Sequence, residues 1–120
     1  MSTIETKGAS GRAVTVTAPT GGLSENDLHT LRSGTDGWVG YVRTGAAAGE
    51  DGVVMVGAQA RIPKNTGSGE SFDQGAKVYK DASTGDATAA ATGNDYIGSA
   101  SAAASTSDEF VWVMFAEAGG

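Results

Sequence analysis

Apolar and polar residues alternate along this chain in short runs, and glycine or proline closes most of them. Alternation with period two is the mark of a half-buried strand. Arg12-Ala13-Val14-Thr15-Val16-Thr17 alternates and is rich in β-branched residues, so it predicts a strand that ends at Ala18-Pro19-Thr20-Gly21-Gly22. The segment from Leu23 to Leu31 holds one possible capping turn, Ser24-Glu25-Asn26-Asp27, and is too short for a helix beyond it. It reads as a turn and then a short strand. Trp38 to Arg43 predicts the next strand, and Ala46 to Gly52 a loop, since that alanine run is too short to nucleate a helix.

Val53 to Ile62 predicts one long strand stopped by Pro63, followed by a polar loop from Lys64 to Gln74. Ala76 to Lys80 predicts a strand, Asp81 to Gly85 a hairpin connection, and Asp86 to Thr92 a weak return strand. After the turn Gly93-Asn94-Asp95 comes a strand from Tyr96 to Ala100. Ala102 to Ser107 reads as a loop. Glu109 to Phe115 closes the series with Phe110, Trp112 and Met114 on one face and Val111, Val113 and Phe115 on the other. A strand apolar on both faces is buried on both or lies at a subunit contact.

The pattern therefore predicts an all-β chain of about eight short strands with glycine-rich turns, a small barrel or a sandwich. No helical stripe, linker or fixed-period repeat is present. Residues 1–10 are small and polar apart from Met1 and Ile4, and read as a flexible N-terminal arm. Residues 11–120 read as a single β domain, in keeping with a length of 120 residues.

Composition adds a constraint on the core. Gly, Ala, Ser and Thr make up 63 of the 120 residues, while Leu, Ile, Val and Phe number only 19. That is below the ~20% at which disorder becomes a reading, but the charge density is modest and the large apolar residues cluster in the strands. The domain is ordered with a thin core, and such a domain gains from association with its own kind. The net charge of −6 argues against a nucleic-acid binder. The absence of cysteine excludes disulfides and thiolate chemistry, and one histidine excludes a multi-histidine metal site within one chain. No apolar run approaches the ~20 residues of a membrane helix. The first seven residues lack the apolar core of a signal peptide, which predicts a soluble protein made in a reducing cytoplasm.

Candidate chemistry is sparse. Gly67-Ser68-Gly69 and Gly75-Ala76-Lys77 lack the spacing of a phosphate-binding loop. His29 reads as an ordinary strand or loop residue, with no Gly-x-Ser-x-Gly elbow to accompany it. Asp81-x-Ser83-x-Gly85-Asp86 lacks the acid spacing and closing glutamate of a calcium loop. Trp38, Tyr41, Tyr79 and Trp112 read as core bulk, with a sugar or peptide groove as the alternative.

An ordered series of stretches resembles the capsid cement, or head decoration, proteins of tailed phages. It begins at Ala13 to Gly22 and runs through Gly37 to Val42 and Gly45 to Gly49. Its best parts are Ala60-Arg61-Ile62-Pro63-Lys64-Asn65-Thr66 and Gln74 to Asp81, followed by Ala91 to Gly98 and the last strand. Each motif is a strand end plus a turn, and the series covers roughly residues 12–115. Two departures stand out. The family often carries an extended apolar strand where this chain has Asp27 to Arg32, and an aromatic where it has Lys80. The resemblance implies a non-enzymatic virion protein without cofactor, metal or small-molecule substrate. It implies binding to the major capsid protein on the capsid exterior and a homotrimer, with no nucleic-acid or membrane partner. Candidate subunit or capsid contacts are Ile4, Phe110, Trp112 and Met114. The competing readings are a carbohydrate- or surface-binding module of a fibre or adhesin, and a small hydrolase built on His29.

Overall fold

The computed structural model describes residues 5–6 and 12–116. Its strands are β1 (Glu5–Thr6), β2 (Arg12–Thr17), β3 (Leu28–Arg32), β4 (Trp38–Thr44), β5 (Asp51–Val56), β6 (Gln59–Pro63), β7 (Lys77–Lys80), β8 (Ala87–Thr88), β9 (Asp95–Ala100) and β10 (Phe110–Phe115). No helix occurs among the described residues. A six-stranded sheet has the order β1-β6-β10-β9-β7-β8, and a four-stranded sheet the order β2-β5-β4-β3. All the strand pairs are antiparallel. The sheets form a sandwich, not a closed barrel. The larger sheet curls until Lys64, just past β6, makes a single parallel bridge to Ala87 of β8, but no ladder closes it.

The expected single strand from Val53 to Ile62 is instead two strands in different sheets. Gly57 turns the chain between them with φ 69°, a conformation open to glycine at little cost. Its N–H donates to Ala116 O at 3.2 Å, and Ala58 O accepts from Phe115 N at 2.9 Å, which ties the crossing point to the end of β10. Alternation runs unbroken through the crossing, because Val54, Val56, Ala58, Ala60 and Ile62 are all buried. The first two enter one core and the last three another. Pro63 is the last residue of β6, opposite Phe110, and not a stop beyond it. The expected return strand from Asp86 to Thr92 is only Ala87–Thr88. Beyond it, the Ala89 N–H donates to the Glu70 carboxylate at 3.0 Å and not to a neighbouring strand.

The main core lies between the sheets. Val39 and Tyr41 of β4 meet Ile62, Val78, Ile97, Val111, Val113 and Phe115 of the larger sheet. The Tyr41 and Phe115 rings stand edge to face, with centroids 5.7 Å apart. A second cluster lies on the far face of the smaller sheet, where Leu23 and Ala18 cover Val42, Val54 and Val56. Two thin cores stay dense because strands approach closely at small residues. A Cβ on Gly98 would run into the carbonyl oxygen of Met114 and come within 3.0 Å of Phe115 Cα. One on Gly40 would meet Met55 O and lie 2.5 Å from Val54 Cγ1.

Gly98→Ala is expected to lower stability by about 1–3 kcal/mol, the usual cost of overpacking a tight site. A urea titration followed by tryptophan fluorescence measures it. An unchanged midpoint would show that β9 and β10 can move apart without loss.

Candidate functional site

The cross-strand register assigns the side chains of β10 to two faces. Val111, Val113 and Phe115 are buried in the main core. Phe110, Trp112 and Met114 stand on the outer face, opposite Pro63, Arg61 and Gln59 of β6. Met114 also faces Ser99 of β9, which faces Lys77 of β7. Phe110 and Trp112 are half-buried, while Met114 is 44% exposed and is the exposed large apolar residue among those described. The Arg61 guanidinium carbon lies 4.3 Å from the centre of the Phe110 ring, a cation–π contact. Gln59 Nε2 donates to Ser101 Oγ at 3.0 Å. The outer face is thus an aromatic and thioether strip beside the cations Arg61 and Lys77, on a chain whose net charge is −6. Of the four candidate contact residues, the structure brings Phe110, Trp112 and Met114 together, and Ile4 lies outside the described residues.

The aromatics of the alternative groove reading are not gathered in one place. Tyr41 is buried against Phe115, and Tyr79 packs edge-on against Tyr96 with centroids 5.9 Å apart. Trp38 packs on the second cluster and Trp112 stands on the outer face of the larger sheet.

The motif Pro63-Lys64-Asn65 and the end of β7 are joined by polar contacts between loops. Lys64 is 4% exposed, and its ammonium donates to Ser105 O at 3.0 Å and Asp108 O at 2.9 Å. Asn65 Nδ2 donates to Asp81 Oδ2 at 2.8 Å. The other Asp81 oxygen accepts from the Ser83 and Thr84 N–H groups at 2.7 and 3.2 Å. Those donors, the Ser83 N–H above all, hold the Asp81 carboxyl below its ordinary range. The faint resemblance to a calcium loop is thus an aspartate turn whose carboxylate is bonded within the chain. Glu70 accepts from the buried Thr88 hydroxyl at 2.9 Å. Among the described residues no group of three or more His, Cys, Asp or Glu is placed to hold a metal. Nothing in the hydrophobic pattern signals Lys64 and Glu70 as anchors, because burial of a charged side chain depends on carbonyls and hydroxyls far away in sequence.

The segment Leu28–Arg32 and Lys80 touch each other. Lys80 Nζ donates to Thr30 Oγ1 at 3.2 Å, and Thr30 Oγ1 donates to Asp95 Oδ2 at 2.9 Å. The other Asp95 oxygen accepts from Gly34 N at 2.8 Å. A polar seam thereby links β3 of the smaller sheet to β7 and β9 of the larger one. His29 is a residue of β3, as the sequence suggests. Burial and then the nearby Lys80 charge lower its pKa below the ordinary 6.5. Beside the seam a polar cleft of about 340 Å³ opens between Asn26, Asp27, Pro63, Lys80 and Asp86. Burial and the neighbouring Asp81 raise the Asp86 carboxyl.

Compared with models of known families, residues 8–115 match the one described as phage cement protein. No curated protein and no solved structure matches.

The His29 and Asp81 shifts have the same consequence for stability. A base held below 6.5 in the fold takes up its proton more readily when unfolded, so stability is full above 6.5 and falls as the pH drops toward the folded value. A carboxylate held below 3.8 loses its contribution as pH falls from 3.8 through its folded value. Asp86 acts in the opposite sense, losing its contribution as pH rises from 3.8 through its folded value. The melting temperature is expected to decline on acidification from pH 6.5. His29→Gln should remove that first decline and leave the one below 3.8. Melts across this range check both.

Proposed function

This chain belongs to the phage cement protein family, and from that premise we propose that it binds the outer surface of the capsid and bridges major capsid subunits. The coarser part follows from the family: a phage structural protein that belongs with the capsid. The observation that supports the finer reading is the strip of Phe110, Trp112 and Met114, held on a rigid sheet whose opposite face is core. An apolar strip of this kind on a well-packed sheet is a contact surface in waiting. Its role is mechanical. Packed DNA pushes the shell outward, and a protein bridging neighbouring subunits adds contacts that must break before the shell opens. Weak contacts suffice, since many copies in a lattice act together.

The proposal extends to assembly and to the N-terminus. The chain acts without catalysis, is made in the host cytoplasm, and stands on the capsid exterior as a homotrimer. The strip serves the capsid or the neighbouring subunit. Residues 1–10 add backbone hydrogen bonds to a capsid or neighbour strand, with Ile4 as apolar anchor. The carbohydrate-binding alternative has less support, because the aromatics that suggested it are dispersed between two cores and one outer face.

Met114→Lys is the direct test. The side chain is already 44% exposed, so the fold should persist. Capsid affinity should fall by about 1 kcal/mol per copy, or ~5-fold, the scale of burying half an apolar side chain. Deleting residues 2–10 removes only the two-residue β1 from the described strands and should likewise lower occupancy of purified capsids while leaving the melt cooperative. If both variants decorate capsids as tightly as the parent, neither surface is the capsid contact.

A further inference from the structure

β2 ends the four-stranded sheet and pairs with β5 along its whole length, from Arg12↔Val56 to Thr17↔Asp51. Among the described residues no strand pairs with its other side. An open row of backbone donors and acceptors is a template for another strand, and proteins usually blunt it with proline, a bulge, an inward charge or a short strand. The other edges are blunted in these ways. β1 and β8 have two residues each. β3 has an irregular register between Thr30 and Arg32 and is engaged by Asp95 and Lys80 through Thr30. β2 is six residues long with a continuous register, no proline, and its single charge at the first position.

The side chains of β2 fit a second copy of itself. Val14 and Val16 lie on the far face of the sheet, where Val14 continues the row made by Val54 and Val42. Beside them a groove of about 400 Å³ is lined by Arg12, Val14, Trp38 and Val56. Ala13, Thr15 and Thr17 are exposed on the opposite face. An antiparallel pair centred on Thr15 sets Val14 of one copy opposite Val16 of the other, and Ala13 opposite Thr17. Val14 and Val16 then meet on one face, and Ala13 and Thr17 on the other. Arg12 then stands opposite Ala18 of the second strand, on the face where the exposed Glu50 lies one strand further on, while Asp51 shares the other face with Thr17. The two-fold axis makes this match of opposite charges twice. A capsid strand could occupy the edge, but nothing in the chain specifies its sequence, whereas β2 specifies its own complement.

We infer that β2 pairs antiparallel with β2 of a second copy about a two-fold axis, joining two four-stranded sheets into one. This contact is separate from the strip on β10 and from any three-fold contact, so it links assemblies built by either. It does not depend on capsid binding and is tested on the free protein.

The chain has no cysteine, so Thr15→Cys introduces a single thiol. Directly opposed antiparallel residues have Cα atoms ~4.5–5.5 Å apart, within the ~4.4–6.8 Å range of disulfides. Mild oxidation should convert Thr15→Cys into covalent dimers, while Ala13→Cys, which faces Thr17 and not itself, stays uncrosslinked. Sedimentation should give the parent protein an even number of chains. Thr15→Lys, which opposes two ammonium groups, should halve that mass with an unchanged circular dichroism spectrum. A parent mass of an odd number of chains overturns the inference, as does Thr15→Cys linking no better than Ala13→Cys. If Thr15→Lys weakens capsid binding while leaving the mass of the free protein unchanged, the edge takes a capsid strand and the inference also fails.

Discussion

The structure depends on the way one alternating run serves two cores. From Val54 to Ile62 every second side chain is buried, but a left-handed glycine at position 57 moves the second half of the run into the other sheet. Once that crossing is made, β6 must pair with β10, and Val111 and Val113 must face the same interior as Ala60 and Ile62. The hydrogen bonds of Gly57 and Ala58 to residues 115–116 clamp the crossing to the last strand. The middle and last thirds of the chain are therefore held to a common interior by backbone bonds at a point where side chains are small. Such a chain reaches adequate packing density by close approach of strands, which is why a methyl group at Gly98 or Gly40 has nowhere to go.

This economy leaves little apolar surface to spare, so the outer face of β10 is informative. Phe110, Trp112 and Met114 lie outside a core that has few large residues of its own. That a chain with 19 residues of the Leu, Ile, Val and Phe types still sets an aromatic and a thioether strip on an outer face is what supports the contact proposed above. The family to which it belongs is that of the phage cement proteins. Arg61 over the Phe110 ring adds orientation and a positive edge to the strip.

The polar side chains have a different task. Lys64, Asn65, Glu70, Asp81 and Thr88 fasten the long loops that the sheets cannot order. Buried or half-buried polar groups cost stability unless bonded, and here each of these is bonded within the chain. The seam of Thr30, Lys80 and Asp95 does the same between the sheets. It joins β3 of the smaller sheet to β7 and β9 of the larger one.

Most strand positions, the all-β class and the two-faced character of β10 were legible in the sequence, because a strand's period of two is a local property set by backbone geometry. The resemblance that pointed to the family was legible for the same reason, since it consists of strand ends and turns. Ile62, Pro63, Lys64 and Asn65 could be recognised as a motif without showing that Lys64 is a buried clasp on a turn 41 residues away. Sandwich against barrel, the division of Val53 to Ile62 between two sheets, and the shortening of the return strand after Ala87–Thr88 were decided only in three dimensions. Each turns on which distant group satisfies a backbone or side-chain donor: Ala116 for Gly57, Glu70 for Ala89, Ser105 and Asp108 for Lys64. Alternation says that a residue is buried. Only the pairing of remote strands says in which core, because the period is the same on both sides of the glycine that separates them.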